Sequence, residues 1–206
     1  RKYPSLSLVY ASSSSVYGGN EKIPFSEKDQ TDHPLSFYAA TKKSGELMAQ
    51  AYHSLYGIPV TGLRYFTVYG PWGRPDMAYY SFASSIVEGK PITVYNHGLM
   101  KRDFTYITDI VRGTAAAIDY GGKCEIFNLG NSHTEELMTL ITLLEENLNK
   151  KAIIEYKPMH PGDVLETCAD IEKAREILGF APTTSLEEGI SLFVQWFDGM
   201  HLPNSR

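Results

Sequence analysis

Apolar runs of strand length alternate with stretches of helical period along the chain. Leu6 to Ser12 (LSLVYAS) is almost unbroken in its hydrophobicity, the pattern of a strand buried on both faces of a parallel sheet. Residues 34–56 carry a long helical pattern, opened by Pro34 and by a Ser36 suited to capping, and closed by Gly57. A second strand, VTGLRYF, follows at 60–66, so this part of the chain reads as one βαβ unit of a doubly wound sheet. TVYGPWGRPDM, dense in Gly and Pro, predicts a loop. Beyond it the pattern predicts a helix near Tyr79 to Glu88, short strands at 91–95 and 102–107, and a helix opened by Thr108 and Asp109. A strand (EIFNLG), an amphipathic helix (TEELMTLITLLEENL), a strand (AIIEYKP) and two helices (DIEKAREILGF, SLEEGISLFVQWF) complete the chain. The alternation is irregular from about residue 67. The expectation is an α/β protein: part of a doubly wound parallel sheet in residues 1–66, then mainly a smaller α+β lobe in 67–206, with some segments returning to the sheet.

A doubly wound sheet that binds a dinucleotide carries a glycine-rich phosphate turn after its first strand and an acidic residue about 20 residues on. The chain contains no such fingerprint and opens one step before a central strand. It therefore reads as part of a longer protein, or as one whose remaining strands come from elsewhere.

Composition narrows the function classes. With 206 residues, 43% hydrophobic and 21% charged, the chain is sized for one domain or slightly more. A net charge of -5, with bases interspersed among acids, argues against a nucleic-acid surface, which needs a basic stripe. A phosphorylated small molecule needs only one or two arginines. No apolar stretch is long enough to span a bilayer and no signal segment opens the chain, so a cytoplasmic location and no membrane partner are expected. Cys124 and Cys168 lie far apart and the six histidines do not cluster, which supports neither a disulfide framework nor a metal site; both cysteines read as small core residues.

The chemistry concentrates in SFYAATKKSG. Tyr38 and Lys42 stand at i and i+4 and share a helix face, and a cation close to a phenol favours the phenolate that a general base requires. Tyr-x-x-x-Lys alone is short and is often only a surface helix. Its context raises its weight: the first strand runs into Ser12 to Ser15, and the carboxyl ends of parallel strands are where open α/β sheets hold ligands. Read by themselves, these serines are equally a strand-end turn whose hydroxyls bond local backbone.

ASSSSVYG, YAATK, LRYFTVYGPWGRPDMA, GKPITVYNHGLMKRDFTYI and PGDVLET, in this order and spacing, resemble extended short-chain dehydrogenase/reductases that act on nucleotide sugars, in particular UDP-glucuronate 4-epimerases. The resemblance covers essentially the whole chain. It implies a Rossmann-like sheet, NAD as cofactor, a UDP-sugar substrate and a homodimer formed through the helix of Tyr38.

By this resemblance Tyr38 is the base at the sugar 4-hydroxyl, Lys42 binds the nicotinamide ribose, and Ser13 hydrogen-bonds the same sugar oxygen. Ser12, Tyr65 and Phe66 fall on the cofactor side. Ser14, Ser15 and Thr67 offer hydroxyls to a substrate carboxylate. Related decarboxylases carry Glu at the position of Ser15, and 4,6-dehydratases an Asp-Glu pair near Ser14 and Ser15. The resemblance gives Arg102 to the diphosphate, Asp163 to the uridine ribose, the backbone of Ile92 to Tyr95 to the uracil edge, and His160 to a place where hexose epimerases have an arginine. Without it, Arg102 is a strand-edge arginine and Asp163 a turn residue. Arg74 either closes over the nucleotide or braces its loop. The implied activity is epimerisation at C4, most specifically of UDP-glucuronate to UDP-galacturonate, with the 206 residues alone expected to be inactive. Two alternatives stand beside it: a 4-epimerase of another UDP-hexose, and a non-catalytic nucleotide-sugar-binding module.

Overall fold

The computed structural model describes residues 6–159 and 162–201. The elements are β1 (Leu8–Ser13), α1 (Phe37–Tyr56), β2 (Val60–Tyr65), β3 (Thr67–Tyr69), α2 (Ala78–Glu88), β4 (Pro91–Tyr95), β5 (Lys101–Arg102), β6 (Phe104–Tyr106) and α3 (Ile107–Tyr120). They continue with β7 (Cys124–Leu129), β8 (Glu135–Glu136), α4 (Leu137–Leu148), β9 (Ile153–Lys157), α5 (Glu172–Leu178) and α6 (Leu186–His201).

β1, β2 and β7 form a parallel sheet in the order β1-β2-β7, with Ser13 level with Tyr65 and Tyr65 level with Leu129. All three carboxyl ends therefore reach one rim. α1 joins β1 to β2. Its first turn is fixed by Ser36, whose Oγ accepts from the Ala39 N–H at 3.1 Å, and it ends at Gly57 in the left-handed region (φ 66°). The remaining strands form small pairs: β3 with β6 and β4 with β9, both parallel, and β5 with β8, antiparallel.

Two hydrophobic clusters organise the chain. One packs Tyr17, Phe25, Leu63, Phe66 and Phe127 with Ile110 and Ala117 of α3 and Ala174 of α5, so these two later helices return to the sheet. The other gathers Tyr69, Tyr79, Phe104, Leu140 and Phe193 among α2, α4, α6 and the short strands.

Several boundaries differ from the sequence reading. Residues 67–69 leave the predicted loop to form β3, because Thr-Val-Tyr finds a parallel partner in Phe104 to Tyr106. The strand expected at 102–107 divides at Asp103: β5 and β6 pair with different partners and the aspartate between them is fully buried. Glu135 and Glu136 join β8 opposite Arg102 and Lys101, so α4 starts at Leu137, later than expected. Cys124 and Cys168 are free and only half-buried, which corrects their reading as core positions.

Candidate active site

The rim formed by the strand ends receives the first turn of α1. Tyr38 sits there 53% exposed, and Lys42 follows one turn later. The Lys42 Nζ donates to the Ala11 carbonyl at 3.0 Å and lies 5.6 Å from the centre of the Tyr38 ring, so the helix cation is anchored to β1 beside the phenol. Ser13, Tyr38, Lys42, Tyr65, Phe66 and Thr67 line one cavity of about 610 Å³, with Arg74 at its loop side. None of the residues lining it is an Asp or Glu.

Ser13 ends β1 and caps the 3-10 turn Ser14–Tyr17. Its Oγ accepts from the Ser15 N–H at 3.2 Å and from the Ser15 hydroxyl at 2.8 Å. The strand-end turn is real, and it serves the site: with both lone pairs of Ser13 engaged, the hydroxyl is left to act as a donor. The Ser12 hydroxyl donates to Glu46 Oε1 at 2.7 Å, and the residue, although buried, also lines the wall of the Tyr38 cavity.

Two further cavities continue the first. One of about 360 Å³ is lined by Ser14, Ser15, Thr67, Arg102 and Asp163, and one of about 640 Å³ by Thr67, Ile92, Tyr95, Arg102 and Asp163. Thr67 lines all three, standing between the Tyr38 pocket and the Arg102 end. The Arg102 Nη1 donates to the carbonyls of Lys101 (2.8 Å) and Leu165 (3.2 Å). Burial lowers the proton affinity of this guanidinium, against the pull of Asp163. It is a partly desolvated cation aimed by two backbone oxygens. Arg74 pairs with Asp76 at 2.6 Å in an exposed loop and also lines the Tyr38 cavity. The Tyr65 hydroxyl is tied to Thr114 at 2.9 Å, leaving its ring as cavity wall. His160 lies outside the described residues.

Two features escaped the sequence reading. Behind the rim, Arg64 Nε and Nη2 bond both oxygens of Glu46 at 2.8 and 2.9 Å, and Nη1 donates to the Tyr17 hydroxyl at 3.0 Å. Tyr17 in turn donates to Asn128 Oδ1 at 2.6 Å. Burial pushes the Glu46 carboxyl up, but Arg64 and Ser12 outweigh it and hold it below the usual carboxylate range. The signal was present: an arginine in the apolar run VTGLRYF and a glutamate one turn beyond Lys42. The second feature is Asp103, whose carboxylate accepts from the N–H groups of Asn131, Ser132 and Ala169 and from the Thr105 hydroxyl.

Residues 1–130 match the model of the NAD dependent epimerase/dehydratase family. The chain belongs to that family. It is 57% identical over 96% of its length to an uncharacterised protein of Methanocaldococcus jannaschii, and 50% identical over 94% of its length to UDP-glucuronate 4-epimerase 1 of Arabidopsis thaliana. It spans 60% and 49% of those two curated relatives. Among solved structures, UDP-glucuronic acid 4-epimerase of Bacillus cereus, in complex with UDP-glucuronic acid and NAD, superposes with a TM-score of 0.88 at 38% identity. That match covers 94% of this chain and 62% of the Bacillus enzyme. Rossmann-like α/β architecture and an NAD-dependent family are thus established. No helix among the described residues is long and apolar enough to cross a membrane.

Proposed function

We propose that the protein carrying this chain is a UDP-sugar 4-epimerase whose substrate is UDP-glucuronate and whose product is UDP-galacturonate. Residues 1–66 belong to its cofactor-binding part and 67–206 mainly to its substrate lobe. The observation that carries the reading is the continuous run of cavities from Tyr38, Lys42 and Ser13, past Thr67, to Arg102 and Asp163. A sugar, a diphosphate and a nucleoside succeed one another in the same order.

The residues of the Tyr38 cavity suit the nicotinamide and ribose of NAD: a cation, two hydroxyls, and an aromatic wall from Tyr65 and Phe66. Held by these residues, NAD would supply a reversible hydride acceptor for sugar C4, with no net redox change. Tyr38 takes and later gives back the proton of the 4-hydroxyl. Lys42 holds the ribose and stabilises the phenolate, and Ser13 donates to the same sugar oxygen. Oxidation at C4 makes a glucuronate a β-keto acid, which loses carbon dioxide once its carboxylate turns out of the ketone plane. Hydroxyls of Ser14 and Thr67 can hold that group in place, the Ser15 proton being already given to Ser13. A carboxylate lining the cavity would repel it, and none does. This favours epimerisation of an acidic sugar over decarboxylation or 4,6-dehydration.

Incubating the native protein with UDP-glucuronate and with UDP-glucose separates the readings. UDP-galacturonate without a pentose by-product is expected; turnover of the neutral sugar alone overturns the substrate assignment, and UDP binding with no turnover favours the binding module. Arg102→Ala is expected to raise the KM for the UDP-sugar roughly ten- to a hundredfold, the worth of a charge-assisted hydrogen bond, with kcat little altered. A comparable fall in kcat would place the arginine in the chemical step. The exposed apolar side chains Leu47, Met48, Tyr52 and Leu55 of α1 support a homodimer through this helix, which sedimentation of the native protein tests.

A further inference from the structure

Four hydrogen bonds dock α1 onto the sheet directly behind the catalytic rim. Lys42 reaches the Ala11 carbonyl, the Ser12 hydroxyl reaches Glu46, and Arg64 of β2 grips both oxygens of Glu46. Tyr38, Lys42 and Glu46 recur every four residues on one stripe of the helix, so a shift at Glu46 is transmitted along the same face. Ser12 is bonded to the pair and is the neighbour of Ser13. The Arg64 Nη1 extends the grip to Tyr17, which closes the 3-10 turn capped by Ser13. Glu46 and Arg64 are 4% and 2% exposed and line no part of the Tyr38 cavity.

A buried ion pair is a weak source of stability, because desolvation of two charges consumes most of their attraction, and apolar residues of similar volume often serve as well. What a bidentate carboxylate–guanidinium pair does supply is direction, since two parallel bonds fix both the rotation and the axial position of the helix that carries the carboxylate. We propose that Glu46 and Arg64 are positioning residues: without touching substrate or cofactor, they set the distance and orientation of Tyr38 and Lys42 relative to Ser13. The proposal rests on the epimerase reading for its kinetic consequence, but its structural content stands apart from it.

Glu46→Asp keeps both charges and shortens the link by one methylene, so the helix must shift or one bond must lengthen. In the native protein its kcat is expected to fall about a hundredfold, the usual cost of an ångström of misplacement, with the KM for UDP-glucuronate unchanged. The double variant Glu46→Leu with Arg64→Met replaces the pair by apolar bulk, and its melting temperature is expected to fall by only a few degrees, the cost of the orphaned Ser12 hydroxyl, while kcat falls as far. Recovery of kcat along with stability in the double variant would show a merely structural pair and overturn the proposal. Should the double variant not fold, a folded Glu46→Asp protein with wild-type kcat overturns it equally. Hydrogen exchange gives a readout free of turnover: amides 39–46 of α1 are expected to lose protection in Glu46→Asp relative to 47–56 at unchanged melting temperature. Unchanged protection there overturns the proposal even if the native protein turns over no UDP-sugar, an outcome that by itself would defeat only the epimerase reading.

Discussion

Tyr38→Phe is expected to lower kcat about a thousandfold, within the range removed with a general acid–base group, while the KM for UDP-glucuronate changes little. The phenol is half exposed at the rim and its ring remains in the variant, so cavity shape and substrate contacts are preserved. What disappears is the hydroxyl of the one tyrosine of α1 that lines the cavity, beside an anchored cation. Lys42 cannot replace it, because its ammonium is committed to the Ala11 carbonyl and has no acceptor to offer. Thermal unfolding should be unaffected. Tyr156→Phe, the same change at an exposed tyrosine of β9 that lines none of the three cavities, serves as control and should leave kcat at the wild-type value. Steady-state rates from chromatographic separation of the two UDP-sugars provide the check. A Tyr38→Phe protein with wild-type kcat would remove the phenol from the mechanism and with it the proposed reaction.

The parts of this site that were legible in the sequence are those fixed locally. Ser36 and Gly57 bound α1 because capping is written in side-chain type, and the spacing of Tyr38 and Lys42 then follows from helix geometry alone. The apolar run at β2 reads correctly because a strand buried on both faces tolerates little else, whereas β1 forms where expected but stands at the edge of the sheet with only Ser12 buried, which corrects its reading as a strand covered on both faces. The readings that changed depended on partners distant in sequence. Thr67 to Tyr69 become a strand only because Phe104 to Tyr106 lie beside them, and Glu135 and Glu136 leave the predicted helix for the cationic edge of Lys101 and Arg102. The bond of Ser12 to Glu46, 34 residues away, likewise has no local signal. Glu46 and Arg64 drew no reading of their own, since the arginine in an apolar run and the glutamate one turn beyond Lys42 gain meaning only once the fold pairs them across 18 residues.

Asp103→Ala is expected to destabilise the fold at neutral pH by about 3–5 kcal/mol, because four donors that share its carboxylate would be buried without an acceptor. For a chain of this size that is a fall in melting temperature of roughly 10 °C. The site is a junction. Asp103 separates β5 from β6, its side chain binds the loop after β7 and Ala169, and its carbonyl accepts from the Thr67 N–H at 3.1 Å. Loss of the carboxylate should therefore also loosen Thr67 and Arg102, where the cavities meet. The acid limb gives the contribution a sign. Burial pushes the Asp103 carboxyl from 3.8 up to about 6, against the pull of its N–H donors and of Thr105, so between these values the folded protein binds a proton that the unfolded chain does not. The proton-linked part of its stabilisation, which adds to the hydrogen bonds made at neutral pH, is fully present below pH 3.8 and is lost as pH rises through 6. The gap between wild type and Asp103→Ala should consequently widen on going from pH 7.5 to pH 5, by about 1 kcal/mol in denaturant titrations. A gap that narrows in acid would mean that the four hydrogen bonds favour the carboxylate more than burial opposes it, with the stabilising window lying above the ordinary carboxylate range instead of below it.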